Sequence, residues 1–516
     1  MTEISLNRRS LLLAGLGLAG TGLLAACSGG SKPPRLADPS GSPVAQAEAK
    51  RRSTGRERAV TLTATADSAD LGGGITARTW TFGALPGKEI RTTAGDTLVA
   101  TLHNNLPAPT SVHWHGLTLR NDMDGVPPVT MKQVEAGGSF TYRFVTEQPG
   151  TYWFHPHVGI QLDRGLYAPL IVEDPKEPLG YDEEWVVVLD DWLDGVTGTP
   201  DQALAELRKG MGGMAGHQMP GMAMEAPPSP APGSGGMSSF MLMGATSDLL
   251  GGDAGDVAYP YHLVNGRTAD DPDVHRSKPG TRVRLRIVNA GGDTAYRLAL
   301  GGHRLTITHT DGYPVRHEEV DALLIGMGER YDVLVTLGDG VFPLTALAEG
   351  KNALGRALVR TGAGDAPPAV IRPAELNGRI LGAGDLKAAD EVRLPGKKPD
   401  RTHRIELTGG MAAYDWALNG KPFDMADPTA DTFLIGHGER VRLEFVNRTG
   451  MWHPMHLHGH TFQVGEQGPR KDTVIVLPGT TVGCDFDADN PGQWMTHCHN
   501  AYHGEAGMMG LVAYRA

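Results

Sequence analysis

One strand-like segment occurs three times in this 516-residue chain and limits its fold more than any other feature. The copies are GDTLVATLHN, GTRVRLRIVN and GERVRLEFVN, at residues 95–104, 280–289 and 438–447. Each copy begins with glycine, alternates apolar residues and ends in asparagine, and a period of two places one face of a β-strand against a core. Because internal repeats indicate copies of one structural unit, we predict an all-β protein of three related β-sandwich domains.

The composition supports a folded, turn-rich chain and argues against nucleic-acid binding. The chain contains 70 glycines, 36 prolines and 40% hydrophobic residues. It has 47 basic and 59 acidic residues, a net charge of −12 and a pI of about 5.9. A chain with this balance has no overall basic field to attract phosphate backbones.

The first residues are typical of an export signal. Arg8 and Arg9 precede an apolar run at residues 11–26, and Leu-Ala-Ala stands directly before Cys27. This pattern resembles a Tat-type lipoprotein signal over residues 1–27, with a lipid on Cys27 as a membrane anchor. An ordinary N-terminal anchor helix is the open alternative. We therefore predict an exported protein on the outer face of the cytoplasmic membrane, or a secreted one, with residues 28–58 as a disordered tether.

Four His-x-His pairs occupy matched places in the first and third repeats. Counted from the repeat asparagine or from a later Pro-Gly, the pairs are His113/His115, His155/His157, His456/His458 and His497/His499. The second repeat carries Leu298 and Leu300 at the level of the first pair. Residues i and i+2 of a strand point to one side, so eight imidazoles are expected to converge. A single pair could be a zinc site or an exposed turn, but four matched pairs predict a multinuclear metal cluster between the first and third domains.

The third repeat carries four further candidate ligands: His453, Cys498, His503 and Met508. The first repeat has Thr110, Pro156, Gln161 and Leu166 at the corresponding places. Two histidines, a thiolate and a methionine form the ligand set of a blue-copper electron-transfer centre. We therefore predict a mononuclear copper in the third domain alone, joined to the cluster through the neighbours of Cys498.

These motifs resemble the multicopper oxidases over nearly the whole mature chain. The resemblance implies three cupredoxin-like Greek-key domains and four copper ions. It places type 1 copper on His453, Cys498, His503 and Met508, and type 2 copper on His113 and His456. The type 3 pair would take His115, His155, His157, His458, His497 and His499. In that family, four electrons removed singly at type 1 copper reduce dioxygen to two waters.

The chain is most similar to the exported bacterial branch of that family, the laccase-like and copper-tolerance oxidases, particularly actinobacterial lipoprotein forms. An axial methionine resembles the lower-potential members. The resemblance implies an oxidase for Cu(I), phenols or aromatic amines, with a role in copper tolerance. A copper-sequestering envelope lipoprotein with vestigial oxidase activity is the alternative. A copper nitrite reductase is disfavoured, because that enzyme has no type 3 pair.

Two acidic residues have weaker claims. Asp124 matches a family position assigned to proton supply, although the sequence Asn-Asp-Met-Asp-Gly around it is also typical of an ordinary turn. Many relatives carry an acid directly after the last type 1 histidine, whereas here Gly504 stands there and Glu505 follows. The role of Glu505 stays open.

A methionine-rich insert is predicted at residues 211–243. It contains Met211, Met214, His217, Met219, Met222, Met224, Met237, Met241 and Met243 among Gly, Pro, Ser and Ala. Thioethers are soft ligands that prefer Cu(I), so this segment is a candidate for Cu(I) capture. A flexible insertion without copper preference is the alternative. Related cuprous oxidases carry such an insert in the third domain, whereas here it opens the second, so its distance from type 1 copper is not fixed by the sequence.

The remaining predictions concern boundaries and other side chains. We predict domain 1 at residues 59–178, domain 2 at residues 179–375, domain 3 at residues 376–516, and a monomer. Cys484 is expected to be a packed core thiol. Surface or supporting roles are expected for His103, His262, His303, His309, His437 and His460.

Overall fold

Three pairs of β-sheets follow one another along the chain. The computed structural model describes residues 35–210 and 239–516. The first pair has the strand orders β2-β1-β4-β6 and β3-β8-β7-β5. Its strands are β1 (Glu57–Gly72), β2 (Ile75–Thr81), β3 (Ile90–Thr93), β4 (Asp96–Asn105), β5 (His113–His115), β6 (Ser139–Thr146), β7 (Gly150–His155) and β8 (Ala168–Glu173).

The second pair of sheets forms the middle of the chain. Its strands, with the short pair β10–β11, are β9 (Glu183–Trp192), β10 (Thr246–Ser247), β11 (Gly252–Asp253), β12 (Tyr261–Val264), β13 (Val274–Arg276), β14 (Arg282–Asn289), β15 (Tyr296–Leu300), β16 (Leu305–Thr310), β17 (Tyr313–Val320), β18 (Ala322–Ile325), β19 (Arg330–Thr336), β20 (Val341–Ala348), β21 (Ala353–Arg360) and β22 (Ile380–Leu381). The sheet orders are β12-β9-β14-β19-β16-β17 and β13-β21-β20-β15-β18-β22.

The third pair completes the fold, with orders β24-β23-β26-β31-β28-β29 and β25-β33-β32-β27-β30. Its strands are β23 (Arg401–Thr408), β24 (Ala417–Leu418), β25 (Thr432–Ile435), β26 (Arg440–Asn447), β27 (His453–Leu457), β28 (Phe462–Val464), β29 (Arg470–Lys471), β30 (Thr473–Val476), β31 (Thr481–Asp487), β32 (Gln493–Cys498) and β33 (Met509–Tyr514).

The repeated segment forms the same strand in each sandwich. These strands are β4, β14 and β26, and each pairs in parallel with the first long strand of its sandwich, β1, β9 or β23. On the other side each pairs antiparallel with β6, β19 or β31. Alternate residues of all three face the apolar cores. The prediction of an all-β fold of three related sandwiches is therefore confirmed.

Helices are few in the described ranges: α1 (Ser42–Ala49), α2 (Pro200–Leu207) and α3 (Ala501–Ala506), with short 3-10 turns at Asn121–Met123, Gly159–Asp163, Ala374–Asn377, Ala383–Asp385 and Asp390–Val392. None of these helices has the length and apolar character needed to cross a bilayer. The residues predicted as the export signal and the first part of the tether, 1–34, lie outside the described residues.

The prediction of a disordered tether is wrong for its second half. Ala37 donates its backbone N–H to Tyr514 O at 2.8 Å, and the side chain of Val44 on α1 is buried. Arg51 donates to the Asn490 side chain at 3.1 Å. The polar composition of this stretch concealed its few apolar anchors, which pack on the folded surface because binding sites for them exist there only in the tertiary structure.

Candidate metal centre

The repeat asparagine fixes where each ligand-bearing segment begins. The Asn104 side-chain amide donates to the carbonyls of Ala108 and Val134, and Asn447 donates likewise to Met451 and Val476. These bonds hold the loop after β4 or β26 against the opposite sheet. They therefore set the starting points of β5 and β27, where two of the four His-x-His pairs lie.

Strand pairing then brings the histidine pairs together. His113 on β5 is the direct partner of His155 on β7, and His456 on β27 is the partner of His497 on β32. The middle sandwich has the equivalent pair β15–β20, in which Leu298 lies opposite Ala346 instead. Only the first His-x-His pair lies wholly within a strand. His157, His458 and His499 stand one or two residues past the ends of β7, β27 and β32.

The eight histidines converge in one buried cluster, as the spacing predicts. Potential ligand atoms lie within 4.8 Å of one another in three sets: His113/His456/His458, His113/His115/His155 and His157/His458/His497. The ring of His499 joins them, 4.8 Å from that of His115 and 5.3 Å from that of His155. Residues from the first and third sandwiches alternate around the cluster, so neither sandwich forms it alone.

The free nitrogens of this cluster fit a metal. Five of the histidines have a buried ring nitrogen without a hydrogen-bond partner among the described residues: His113, His115, His155, His456 and His499. For most of them the other nitrogen is held, as when His155 Nδ1 lies 2.9 Å from Pro156 O. The His458 and His497 Nε2 atoms face each other at 3.1 Å. Such orphaned, convergent acceptors are costly to bury unless a cation binds them.

Protonation favours the same interpretation. Burial first, and then the neighbouring histidines, hold the pKa well below the usual value of 6.5 for His115, His155, His157, His458, His497 and His499. A histidine ligand must be neutral to bind a metal, so these side chains are ready to do so near neutral pH.

A second, smaller site lies next to the cluster in the third sandwich. His453 Nδ1 and His503 Nδ1 are 3.1 Å apart, and they lie 3.6 and 3.7 Å from Cys498 Sγ. Met508 is buried beside them, since its backbone N–H donates to His503 O and its carbonyl accepts from Cys498 N–H. The potential ligand atoms of His453, Cys498 and His503 are thus brought together, and the backbone of Met508 lies against two of these residues.

The thiol at this site is poised for metal binding. Burial raises the pKa of the Cys498 thiol, so the free side chain is neutral, and a bound cation would remove its proton. Both flanking residues, His497 and His499, belong to the eight-histidine cluster. The two sites are therefore joined by single peptide units on either side of Cys498.

The sequence did not reveal which groups support the smaller site. His503 Nε2 lies 2.9 Å from Asp256 Oδ2, and His453 Nε2 lies 2.8 Å from Thr449 Oγ1. The buried Trp416 ring packs on His503 with centroids 4.2 Å apart. These contacts fix both imidazoles with Nδ1 towards the sulfur. Asp256 lies in a loop of the middle sandwich with no motif around it, so only its contact identifies it.

Asp124 contacts two histidines of the cluster. Its Oδ2 is 2.9 Å from His458 Nδ1 and its Oδ1 is 3.2 Å from His113 Nδ1, with the carboxylate fully buried. It therefore bridges one histidine of each sandwich, in addition to ending the turn that its sequence suggested.

Asp472 is a contact of the cluster that the sequence did not indicate. Its Oδ1 lies 3.0 Å from His115 Nε2, and its carbonyl lies 2.9 Å from His456 Nδ1. It lies between β29 and β30 as a single acidic residue, and no motif around it indicates a contact with a metal cluster.

The methionine-rich insert is described only at its end. Met211, Met214, His217, Met219, Met222, Met224 and Met237 lie outside the described residues. Met241 forms an isolated bridge with Val257, directly after Asp256, and packs on the core around Cys498. Met243 is 47% exposed. The end of the insert is thus anchored beside the smaller site.

The other singled-out residues lie apart from the ligands. Cys484 is a buried, free thiol in the third core, as predicted. Of the remaining histidines, His262 and His460 contact tyrosine hydroxyls, His303 and His309 bond within the middle sandwich, His437 lies near Tyr514, and His103 is exposed. Glu505 borders a small cavity of about 40 Å³ with His155, His157, His497 and His499, and burial raises its pKa.

Comparison with family models gives three matches in chain order, each described as multicopper oxidase. They cover residues 63–177, 240–363 and 396–516. Together they span all three sandwiches and every predicted copper ligand.

Individual proteins resemble the chain over most of its length. Multicopper oxidase MmcO of Mycobacterium tuberculosis is 48% identical over 98% of this chain and 96% of that protein. A copper resistance protein A homolog of Pseudomonas syringae pv. tomato is 28% identical over 83% of this chain and 87% of that protein. The crystal structure of a multi-copper oxidase from Pseudomonas thermotolerans superposes with a TM-score of 0.64 at 26% identity, over 89% of this chain and 99% of that one.

Proposed function

The chain belongs to the multicopper oxidase family, and we propose that its physiological electron donor is Cu(I), which it oxidises in the service of copper tolerance. It is a copper-dependent oxidoreductase that couples four one-electron oxidations to the reduction of dioxygen to two waters. Phenols and aromatic amines are donors of the same reaction class.

The two sites divide the work of this reaction. In our assignment, His453, Cys498, His503 and Met508 hold one type 1 copper, and His113 and His456 hold the type 2 copper. The other six cluster histidines hold the type 3 pair. Copper supplies reversible one-electron redox chemistry at the first site and dioxygen reduction at the cluster. Cys498 and its two histidine neighbours provide the path between them.

The chain's own residues complete the chemistry. Dioxygen reduction consumes protons, and the buried carboxylate of Asp124 contacts a histidine of each ligand-bearing domain. We assign it the supply of protons to the cluster. Hydrogen bonds that the histidine rings donate to backbone carbonyls, such as His155 Nδ1–H to Pro156 O, keep each ring turned towards the metals.

The proposal that Cu(I) is the electron donor depends on the residues that surround His503. The outward nitrogen of His503, through which an electron would reach the type 1 copper, is covered by Asp256 and is not exposed to solvent. A bulky phenol therefore has no direct contact with this ring. A carboxylate attracts a cation, and Met241, near the end of the methionine-rich insert, bridges to Val257, the residue after Asp256. Acidic and thioether groups beside the electron acceptor suit a soft monovalent ion better than an aromatic ring.

Steady-state oxygen uptake tests this choice. We expect copper-loaded protein to turn over Cu(I) saturably and with much higher kcat/KM than a dimethoxyphenol. Replacing the eight methionines of the insert by leucine should raise KM for Cu(I) and leave the phenol nearly unaffected. A preference for the phenol, or equal losses for both donors, would make the protein a laccase with an accessory insert.

The alternative function is a copper-sequestering lipoprotein with vestigial oxidase activity. Such a protein tolerates the loss of ligands, whereas the sequence of this chain keeps all twelve ligand candidates. Copper-loaded protein that consumes no oxygen with Cu(I), a phenol or an aromatic amine would favour that alternative.

We also propose the cellular setting and organisation given by the sequence. Residues 1–27 act as a Tat-type lipoprotein signal, and a lipid on Cys27 holds a monomer at the outer face of the cytoplasmic membrane. Domains 1, 2 and 3 span residues 59–178, 179–375 and 376–516. Mass spectrometry of the mature N-terminus, and Cys27→Ala followed by membrane fractionation, test the anchor.

A further inference from the structure

The middle domain carries no predicted ligand of the type 1, type 2 or type 3 coppers, yet one of its turns lies against the cluster. Residues 326–330 join β18 to β19. Gly328 in this turn has φ +81°, and a Cβ on it would lie 2.9 Å from the His499 ring and 3.1 Å from His115 Cε1. The backbone of the middle domain thus approaches two histidines closely enough that only glycine fits.

Arg330 ends this turn and is fully buried where the three domains meet. Its Nη1 and Nη2 donate to Asp472 Oδ1 and Oδ2 at 2.8 and 2.6 Å. Its Nε donates to Thr151 O of the first domain at 3.1 Å, and Nη1 also donates to Gly328 O at 3.0 Å. Such a two-pronged pair holds a carboxylate in one orientation.

The carboxylate held by Arg330 is the one that contacts the cluster. Asp472 Oδ1, which accepts from Arg330, also lies 3.0 Å from His115 Nε2. This contact occupies Nε2 and leaves His115 Nδ1 without a partner among the described residues. Which nitrogen of a histidine binds a metal is set by the hydrogen bond that the other makes.

The glycine of the first His-x-His-Gly motif shows how closely these groups are packed. Gly116 has φ +86°, and a Cβ there would lie 2.3 Å from Arg330 Nη2 and 2.7 Å from Asp472 Oδ2. The motif glycine is therefore required by the ion pair as well as by the turn.

The neighbouring charges leave Arg330 as the main counter-charge of Asp472. Lys471 Nζ is shared by Asp311 and Glu329, at 3.0 and 3.1 Å. Arg330 reaches Asp311 only at 3.5 Å, whereas both of its terminal nitrogens contact Asp472. An unpaired carboxylate at this depth would be strongly unfavourable and would move.

We propose that Arg330 is a positioning residue of the trinuclear cluster, acting from the copper-free middle domain by fixing Asp472 and, through it, the metal-binding nitrogen of His115. The inference rests on the proposed function, because it takes His115 as a type 3 ligand. The alternative is that Arg330 has only a structural role and holds the three domains together.

Arg286 provides a matched control. It is also a buried arginine of the middle domain, bonds Asp332 and reaches Thr151 of the first domain at 3.0 Å, but touches no cluster residue. We would compare Arg330→Gln, Arg330→Lys and Arg286→Gln after copper loading. Copper per protein and the type 2 paramagnetic resonance signal report the cluster, and the blue type 1 colour of the same sample reports that the fold persists.

The expected result is a selective effect. Arg330→Gln should lower the copper affinity of the cluster by about 10- to 100-fold while blue colour persists, as is usual when a group that orients a metal ligand is lost. Arg286→Gln should keep both signals in the wild-type ratio. If Arg330→Gln does not fold, the test depends on Arg330→Lys. Lysine keeps the positive charge but cannot donate to both carboxylate oxygens of Asp472 from two fixed nitrogens. This variant should therefore lose type 2 signal relative to the blue colour.

The inference would be overturned if the type 2 signal and the blue colour fell in parallel in all variants, or if their ratio were unchanged in the Arg330 variants. Arg330 would then have only the structural role of holding the domains together. A wild-type protein that binds copper without any type 2 or type 3 signature would instead contradict the proposed function.

Discussion

The carboxylate of Asp256 should tune the type 1 site and help select its donor. Asp256→Asn is nearly isosteric and removes one negative charge 2.9 Å from His503 Nε2. Oxidised copper carries one more positive charge than reduced copper, so losing a nearby anion disfavours the oxidised form. We therefore expect the reduction potential of the type 1 site to rise.

The size of the rise follows from the hydrogen bond that is weakened. A hydrogen bond to a charged group is worth about 1.5–3 kcal/mol. With about 59 mV per 1.4 kcal/mol for one electron, complete loss in one oxidation state would give roughly 60–130 mV. Because the asparagine carbonyl still accepts from His503, this range is an upper limit.

Two assays check the reasoning. Redox titration of the blue colour gives the potential, and oxygen uptake gives kcat/KM for Cu(I) and for a phenol. A higher potential should leave the phenol unaffected or faster, whereas Cu(I) should slow by about tenfold for each 1.4 kcal/mol of lost attraction. Asp253→Asn is the control, since it makes the same substitution nearby but the Asp253 side chain accepts from Gly255 N–H and not from His503. A lower potential in Asp256→Asn, or equal slowing of both donors, would refute the argument.

Three further outcomes are expected. Cys498→Ser should lose the blue colour while the histidine cluster still binds copper, and a blue variant would contradict the type 1 assignment. Asp124→Asn, which weakens the contact with His458, should lower turnover by about 100-fold without slowing reduction of the blue site by Cu(I). Burial lowers the pKa of His262 from 6.5 to about 3. Between these two pKa values the unfolded chain binds a proton that the folded chain does not. The free energy of unfolding therefore decreases as the pH is lowered below about 6.5, and His262 contributes up to about 1.4 kcal/mol per pH unit to this decrease. His262→Gln should reduce that slope in urea titrations by the contribution of one proton, because other buried histidines such as His309 and His460 keep theirs. The exposed His103→Gln should leave the slope unchanged, and equal slopes in the two variants would count against the buried-histidine explanation.

Most of the fold and all copper-ligand candidates could be predicted from the sequence. The alternation of β4, β14 and β26 is local, and it fixes which face of each strand is buried whatever the rest of the chain does. The spacing from Asn104 or Asn447 to the histidines is equally local, because that asparagine side chain also donates to a carbonyl four residues further along its own loop. Sequence thus determined three sandwiches and the residues that carry ligands.

The tertiary structure alone decided what surrounds those ligands. Asp472 meets His115 from 357 positions away, and Asp256 meets His503 from 247 positions away. No periodicity links such residues, because a contact between domains depends on how the folded domain surfaces pack together. In the sequence, an acid that contacts a ligand also looks the same as any other buried acid. The same holds for Arg330, whose partners belong to two other domains. Sequence therefore names the candidate ligands, whereas the packing of three domains sets their orientation, charge and access.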